Sequence, residues 1–397
     1  MDTQNIENNE NITYIESLSD FLNEVNEIGK EENEIKENTL FYRGHSNEVY
    51  ELEPSIYRKN KEGEFLYIEN EDKIYRETIA KVPYDFKGKN TIESLVLMQH
   101  YGVPTRILDL TTNPLVALYF ACIENKDKDG EVVVFDIPQE STCYFDSDRI
   151  AVLANLAKYE NDFYYKKENF YESKINEISN KINKIKIKKN YLENPMILFD
   201  YAFSNKERLE EYFGKNMLQD IDQEIEKIVS EYKGNINIDD ELKKLMRSQL
   251  LFILEKNISE KQKEAIINLN ELYLEKLLHY IKEDKPYFKP IINPNDIGSV
   301  FAIKPKLDNP RIVRQYGAFL IFGAKEDNKE MPRVEDNWII AGKDSLLGKR
   351  IIINHKSKRG IINELDNLGI NKSTLFPEID KVADYIKEKY TQKENNN

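Results

Sequence analysis

The stretch that decides the fold is residues 99–111, which read QHYGVPTRILDLT. Within it, Thr105–Leu108 has the β-branched and apolar composition of a strand. The sequence NPLVALYFA follows at residues 113–121. Pro114 suits the first turn of a helix, where the N–H that proline lacks would have no partner. The pattern therefore predicts a strand that leads directly into a helix ending near Glu124.

Strand and helix patterns continue on both sides of this stretch and give both outer parts of the chain an α+β character. The predicted strands are Thr39–Gly44, Val132–Phe135, Ser299–Ile303, Ala318–Phe322, Trp338–Ala341 and Arg350–Ile353. The further predicted helices are Ile15–Ile28, Tyr75–Ala80, Ile92–His100, Ser357–Asn367 and Pro377–Lys389.

Residues 150–290 contain few glycines and prolines, and their charged residues alternate with Ile and Leu. We interpret residues 1–149 and 291–397 as two halves of one α+β domain with a mixed or antiparallel sheet core, interrupted by this large all-helical insertion. A bundle with solvated charged faces is the plainer interpretation of the insertion, and self-association or binding of a protein partner is the more specific one. The stripe residues at helical spacing are Ile175, Ile178, Ile182, Ile221, Ile225 and Ile228.

The composition excludes some classes of function. A formal net charge of −14 does not favour non-specific nucleic-acid binding, because phosphate neutralisation needs a basic surface. The most apolar short run, Leu250–Leu254, is too short to cross a bilayer, and the first ten residues do not form a signal sequence. Cys122 and Cys143 lie in apolar or aromatic surroundings. We expect a cytoplasmic protein with free thiols and no membrane contact.

The sequence lacks the motifs of several common chemistries. Its four histidines are scattered, and its two cysteines do not have metal-ligand spacing, so we expect no metal site. It contains neither a GxxxxGK[ST] phosphate loop nor a GxSxG nucleophile elbow.

Several sequence blocks resemble the FRG-domain family, which is named for its F-x-R-G signature. The resemblance covers about residues 15–135 and 299–390 and leaves out the insertion. The block QHYGVPTRILDLT is the longest and most specific of them. The blocks are FYRGH at 41–45, QHYGVPTRILDLT at 99–111, NPLVALYFA at 113–121, RIVRQYGAF at 311–319 and LFPEID at 375–380.

The order of these blocks also resembles, more loosely, the layout of ADP-ribosyltransferases. In those enzymes an early strand ends in Arg or His, a second strand carries Ser or Thr before a helix, and a later strand begins with Glu or Gln. Arg43, Thr111 and Gln315 occupy these three places in order. The resemblance implies that they are catalytic, that the sheet core is of ADP-ribosyltransferase-like type, and that NAD is the substrate.

Cleavage of the nicotinamide–ribose bond passes through an oxocarbenium-like transition state, which fixed dipoles stabilise. Arg43 offers a planar donor fork for phosphate or ribose, and the Gln315 amide can hold a ribose hydroxyl. Gly44 would let the backbone approach a ligand closely, and the aromatic side chains would form walls. The candidate NAD-binding residues are Arg43, Gly44, His100, Tyr101, Arg106, Tyr119 and Phe120.

Several of these residues also have a structural interpretation. Arg43 could pair with Asp109 and fix two strands. Thr111 or Thr112 could cap the following helix. Arg106 could form a salt bridge with Asp109 or contact a phosphate, and the sequence leaves both open.

His100 could be a structural histidine. Tyr119 and Phe120 are adjacent on a helix and cannot both face one direction, so at least one belongs to the core.

Gln315 is the weakest point of the catalytic hypothesis, because an amide cannot act as a base. A transferase whose acceptor needs no activation, a glycohydrolase and an inactive nucleotide-binding domain all remain open. Glu93, Asp109 and Glu335 are the candidate substitute carboxylates.

Two predictions of function follow. The first is an NAD-consuming enzyme of ADP-ribosyltransferase type, acting on an unknown acceptor macromolecule, and the FRG resemblance suggests a toxin-like or phage-defence setting for it. The second is a non-catalytic module that binds a nucleotide, a nucleic acid or a protein.

Overall fold

A computed structural model gives the fold of the protein. The chain divides into two compact units, of which the first comprises Met1–Tyr165 and Leu274–Asn397 and the second Lys166–Tyr273. The described residues are 11–32, 38–160, 267, 274–325 and 329–391. The isoleucine stripes of the predicted insertion lie outside the described residues, so its all-helical character stays a prediction.

The described edges of the predicted insertion belong to the first unit. The helices Asp148–Asn155 and Glu275–Asp284 both lie in it, and Leu153 and Leu277 are fully buried. The first unit thus reaches farther into the chain on both sides than the predicted boundaries at 150 and 290.

In the described part of the chain, the fold is α+β and is built on one nine-stranded mixed sheet. Its strands are β1 (Ile12–Ile15), β2 (Thr39–His45), β3 (Ile107–Thr111), β4 (Gly130–Ile137), β5 (Thr142–Tyr144), β6 (Val300–Lys304), β7 (Gly317–Phe322), β8 (Ile339–Ala341) and β9 (Arg350–Ile353). The strand order is β1-β9-β4-β2-β3-β7-β6-β5, and β8 pairs with β4. The β1–β9 and β5–β6 pairs are parallel and the others are antiparallel. The two outer parts of the chain therefore share one sheet, as predicted.

The helices lie between these strands and at the end of the chain. They are α1 (Leu18–Glu32), α2 (Glu71–Lys81), α3 (Pro83–Phe86), α4 (Thr91–His100), α5 (Pro114–Ile123), α6 (Asp148–Asn155), α7 (Glu275–Asp284), α8 (Pro294–Ile297), α9 (Pro310–Arg314), α10 (Lys358–Asn367), α11 (Lys372–Leu375) and α12 (Ile379–Tyr390). The strands and helices predicted for the outer parts are present within a few residues, whereas short elements such as β1, β5 and α9 are not predicted. No helix among the described residues is long and apolar enough to cross a membrane.

The sheet separates two apolar clusters, because successive side chains of a strand point to opposite faces. Tyr42 packs on one face with the buried side of α5, and its neighbour Phe41 packs on the other face with Phe135 and Trp338. Most residues of the central strands are buried.

Close packing of α5 on β2 explains why residue 44 is a glycine. A Cβ on Gly44 would lie 1.9 Å from the carbonyl oxygen of Ala117 and 2.7 Å from the nitrogen of Ala121. The glycine therefore lets a helix approach the strand. The close approach expected at Gly44 is made by α5, and contact of Gly44 with NAD stays a prediction.

The start of α5 also differs from the expectation. Asn113 is its N-cap, and the Asn113 Oδ1 accepts a hydrogen bond from the Leu115 N–H at 2.9 Å. Neither Thr111 nor Thr112 caps the helix.

Candidate functional site

The three strands that carry the candidate catalytic blocks are neighbours in the sheet. β2 pairs with β3, where Tyr42 lies opposite Thr111. β3 pairs with β7, where Thr111 lies opposite Gly317. The segments of Arg43, Thr111 and Gln315 are thus brought side by side in that order.

Thr111 and Gln315 contact each other directly. The Thr111 hydroxyl donates to the Gln315 carbonyl oxygen at 2.7 Å and accepts from the Asn113 N–H at 3.0 Å. The Gln315 side-chain amide donates to the Leu375 carbonyl oxygen at 3.1 Å. These bonds fix the turn before β7 against α11.

Arg43 points to the opposite face of the sheet from Thr111, because its neighbour Tyr42 shares the face of Thr111. Its Nε donates to the His45 Nε2 at 3.0 Å, and its Nη1 donates to the Asp109 carbonyl oxygen at 2.6 Å. Burial lowers the pKa of Arg43, and the Asp109 carboxylate opposes part of that shift. Arg43 therefore holds β2 to β3, and it does not meet Thr111 and Gln315 in one pocket.

Asp109 is the unusual residue of the central strands. It is exposed in the middle of β3, whereas the other four residues of that strand are buried. Its Oδ2 accepts a hydrogen bond from the Gln99 side-chain amide at 2.7 Å. The Gln99 Oε1 in turn accepts from the buried Thr105 hydroxyl at 2.7 Å. A fixed carboxylate thus faces solvent on a strand at the centre of the sheet.

His100 joins this surface to the end of the chain. Its Nε2 lies 2.5 Å from the Glu378 Oε1, and its Nδ1 lies 3.3 Å from the Asn309 Nδ2. Because an amide nitrogen donates, Nδ1 accepts, and the proton lies on Nε2 and is donated to Glu378. Burial and the charge of Arg311 lower the pKa of His100, although Glu378 opposes the shift. The ring is therefore neutral near pH 7.

Arg311 lies beside the same histidine. Its Nη1 donates to the His100 carbonyl oxygen at 3.2 Å, and its guanidinium lies 4.6 Å from the centre of the Phe376 ring. Burial lowers the pKa of Arg311, and the carboxylates of Glu378 and Asp109 oppose that shift. We call Gln99, His100, Asp109 and Arg311 the Asp109 surface.

Two further candidate NAD contacts lie in the core. Arg106 is fully buried, and it forms a two-point salt bridge with Glu71 through Nε, at 2.9 Å, and Nη2. It also donates to the Phe322 carbonyl oxygen at 3.0 Å. Tyr119 is buried in the cluster under α5. Neither predicted contact is available to a ligand.

The aromatic residues on the outer side have different positions. Phe120 is partly buried and packs edge-on against Phe376. Tyr101 is 71% exposed and lies against His100, with ring centres 4.7 Å apart. Of these two predicted walls, Tyr101 can contact a ligand without rearrangement.

A cleft of about 370 Å³ lies along α4 and has His100 and Tyr101 at one end. Its opposite wall is the segment from Ile303 to Ile312. Asp109 and Arg43 are not among its lining residues.

The structure distinguishes the three candidate substitute carboxylates. Glu93 is held at both oxygens, by the Asn90 N–H in a capping box and by Lys306. Glu335 lies before β8, which pairs with β4, and is thus away from β3 and β7. Asp109 alone of the three lies on the strand next to Arg43 and keeps an exposed carboxylate.

Three residues at or beside the Asp109 surface, Gln99, Arg311 and Glu378, are not among the site residues predicted from the sequence. The signal was present, since all three lie inside blocks that resemble the FRG family. Within the described part of the chain, no group of three His, Cys, Asp or Glu side chains could hold a metal ion.

Comparison with known proteins gives one positive result. The model of the FRG domain matches residues 38–130. No curated protein and no solved structure matches the chain. The matched segment contains β2, α4 and β3, and so includes Arg43, Gln99, His100 and Asp109. Residues 38–130 of the chain are thus an FRG domain.

Proposed function

We propose that this FRG domain binds NAD at the Asp109 surface and cleaves its nicotinamide–ribose bond. The observation that carries the proposal is the exposed Asp109 carboxylate on a central strand, held by Gln99 and within electrostatic reach of Arg43 and Arg311.

The proposed chemistry uses each group in a simple role. Water adds to the ribose C1′, the bond from C1′ to nicotinamide breaks, and its electron pair leaves with neutral nicotinamide. Asp109 stabilises the positive charge that develops on the ribose and accepts the proton of the attacking water. Arg311 offers its guanidinium to the diphosphate. In transfer rather than hydrolysis, a nucleophile of the unknown acceptor macromolecule takes the place of water.

The order of the strands supports the same proposal. β2, β3 and β7 lie side by side, so Arg43, Thr111 and Gln315 follow the order that the resemblance to ADP-ribosyltransferases implies. Thr111 and Gln315 then act as positioning residues for the turn before β7, since their mutual hydrogen bond occupies the hydroxyl.

Incubation of the full chain with NAD, with free nicotinamide measured by chromatography, tests the proposal. Asp109→Asn keeps an oxygen that can accept from Gln99 and removes the charge. We expect it to lower the rate about 100-fold or more, while the matched variant Asp127→Asn, at an exposed loop aspartate, keeps the wild-type rate. Equal activity of Asp109→Asn and wild type would refute the role of Asp109.

A second candidate is the non-catalytic binding module. The observation that favours it is the internal hydrogen bonding of the Thr111 hydroxyl, the Gln315 amide nitrogen and both ring nitrogens of His100. Binding of NAD by calorimetry without release of nicotinamide, weakened by Arg311→Ala, would support this candidate over the enzyme.

A further inference from the structure

We propose that the cleft along α4, which adjoins the Asp109 surface at His100, is a binding site for an organic anion with an apolar body. Its volume of about 370 Å³ falls in the range of small-molecule sites. The proposal does not depend on NAD chemistry, because Asp109 does not line this cleft.

The two walls of the cleft run in the same direction. Lys306 bonds to Glu93 in the first turn of α4 at 3.1 Å. Farther along, Asn309 bonds to His100 in the last turn. The helix has ten residues and is therefore about 15 Å long. The cleft is an elongated groove with two distinguishable ends.

The body of the groove is apolar. Half-buried side chains of α4 line one wall, and three prolines are among the lining residues. The apolar lining includes Val96, Leu97, Ile303, Pro305, Pro310 and Pro377. A ligand that fills it must therefore have a substantial apolar body.

The charges differ between the two ends. At the first end, Lys306 is paired with Glu93 and, at 3.6 Å, with Asp308. Lys89 lines the same end, and no ion pair joins it to a carboxylate of the described residues. Its ammonium is therefore free to receive an anionic group of a ligand.

The second end carries the Glu378 carboxylate, and no lysine of the described residues lines it. The Glu378 carboxylate is engaged by His100 at 2.5 Å and by Arg311 at 4.0 Å, and the exposed Tyr101 ring forms the rim. A cationic head group would compete there with Arg311 for the Glu378 carboxylate. The structure thus favours a ligand with one anionic end and an apolar remainder, which lies towards Tyr101.

A matched pair of fluorescent dyes tests this inference on the full chain. 8-Anilinonaphthalene-1-sulfonate has an apolar body and one anionic group, and N-phenyl-1-naphthylamine is its neutral counterpart. We expect one dye per chain to bind in the cleft. Lys89→Ala should raise the Kd of the sulfonate about five- to tenfold and leave that of the neutral dye unchanged.

Two further variants complete the test. Lys87→Ala changes an exposed lysine outside the lining and should leave both affinities unchanged. Leu97→Trp fills the groove and should weaken both dyes. The proposal is overturned if Lys89→Ala weakens both dyes equally, or if Lys87→Ala weakens the sulfonate as much as Lys89→Ala does. The two lysine variants test whether Lys89 binds the anionic group even if the tryptophan variant does not fold.

Competition identifies the source of the anion. Adenosine monophosphate displacing the dye would indicate a ring-bearing phosphate, and decanoate displacing it would indicate an aliphatic carboxylate. Displacement by neither would overturn the proposal. If the protein releases no nicotinamide from NAD but still binds the dye, the proposed NAD chemistry is refuted and the proposed site in the cleft is not.

Discussion

Gly44 of β2 and Ala117 of α5 are in backbone contact, and a Cβ on Gly44 would lie 1.9 Å from the Ala117 carbonyl oxygen. The glycine of the F-x-R-G signature therefore sets the distance between the central strand and the helix that covers it. This contact also fixes the position of Arg43, the preceding residue of the strand.

Gly44→Ala should destabilise the fold by about 3 kcal/mol or more, because the added methyl group meets main-chain atoms that cannot move independently. Urea unfolding followed by circular dichroism measures the change. Gly360→Ala is the matched control, since a Cβ at this α10 position meets no atom within 4 Å. We expect it to be neutral or to stabilise by up to about 1 kcal/mol. Equal stability of the two variants would disprove the close contact.

The positions of the strands could be predicted from local patterns, but the directions of their side chains could not. The face on which Arg43 lies depends on its register with β3, and a shift of one residue reverses it. The partner of Arg106 is Glu71, and the partner of His100 is Glu378, which is 278 residues away. No local spacing encodes such pairs. Residues of one specific sequence block thus divide between core and surface.

Glu71→Gln should destabilise the protein by about 3–5 kcal/mol, because it leaves the buried Arg106 guanidinium without its counter-charge. Burial alone would lower the pKa of Arg106, but the charge interactions and hydrogen bonds with Glu71 and Tyr57 together outweigh it and raise that pKa. Thermal unfolding measures the loss. Glu77→Gln removes an exposed partner of Lys81 and should cost at most about 0.5 kcal/mol. A loss for Glu71→Gln no larger than this control would mean that Arg106 is not buried in its folded position.

Asn113→Ala should cost about 1 kcal/mol, because it removes the side-chain acceptor for the Leu115 N–H at the start of α5. Thr112→Ala is the control, and we expect a change below about 0.5 kcal/mol because Thr112 does not cap the helix. Denaturant midpoints of the two variants give the comparison. A larger loss for Thr112→Ala would restore the capping role that the sequence predicts.

The stability of the protein should depend on pH through His45. Burial, together with the charges of Arg43 and Lys343, lowers the pKa of His45 to about 3. The unfolded chain binds the same proton near the ordinary pKa of about 6.5. Unfolding therefore takes up a proton between these values, and the contribution of His45 is full above pH 6.5 and is lost as the pH falls towards 3.

His45→Gln isolates this contribution, because its amide oxygen can accept from the Arg43 Nε but does not titrate. Relative to the variant, wild type should lose about 1.4 kcal/mol of unfolding free energy per pH unit between about pH 6 and pH 4. Urea unfolding at intervals of half a pH unit measures the free energy of unfolding of both proteins. The titration of the carboxylates, which the two proteins share, cancels in the difference between them. His279→Gln changes a histidine whose side chain is 71% exposed and should follow the wild-type curve. Parallel curves for wild type and His45→Gln would show that His45 is protonated in the folded protein over this range, and that the buried pair with Arg43 does not form.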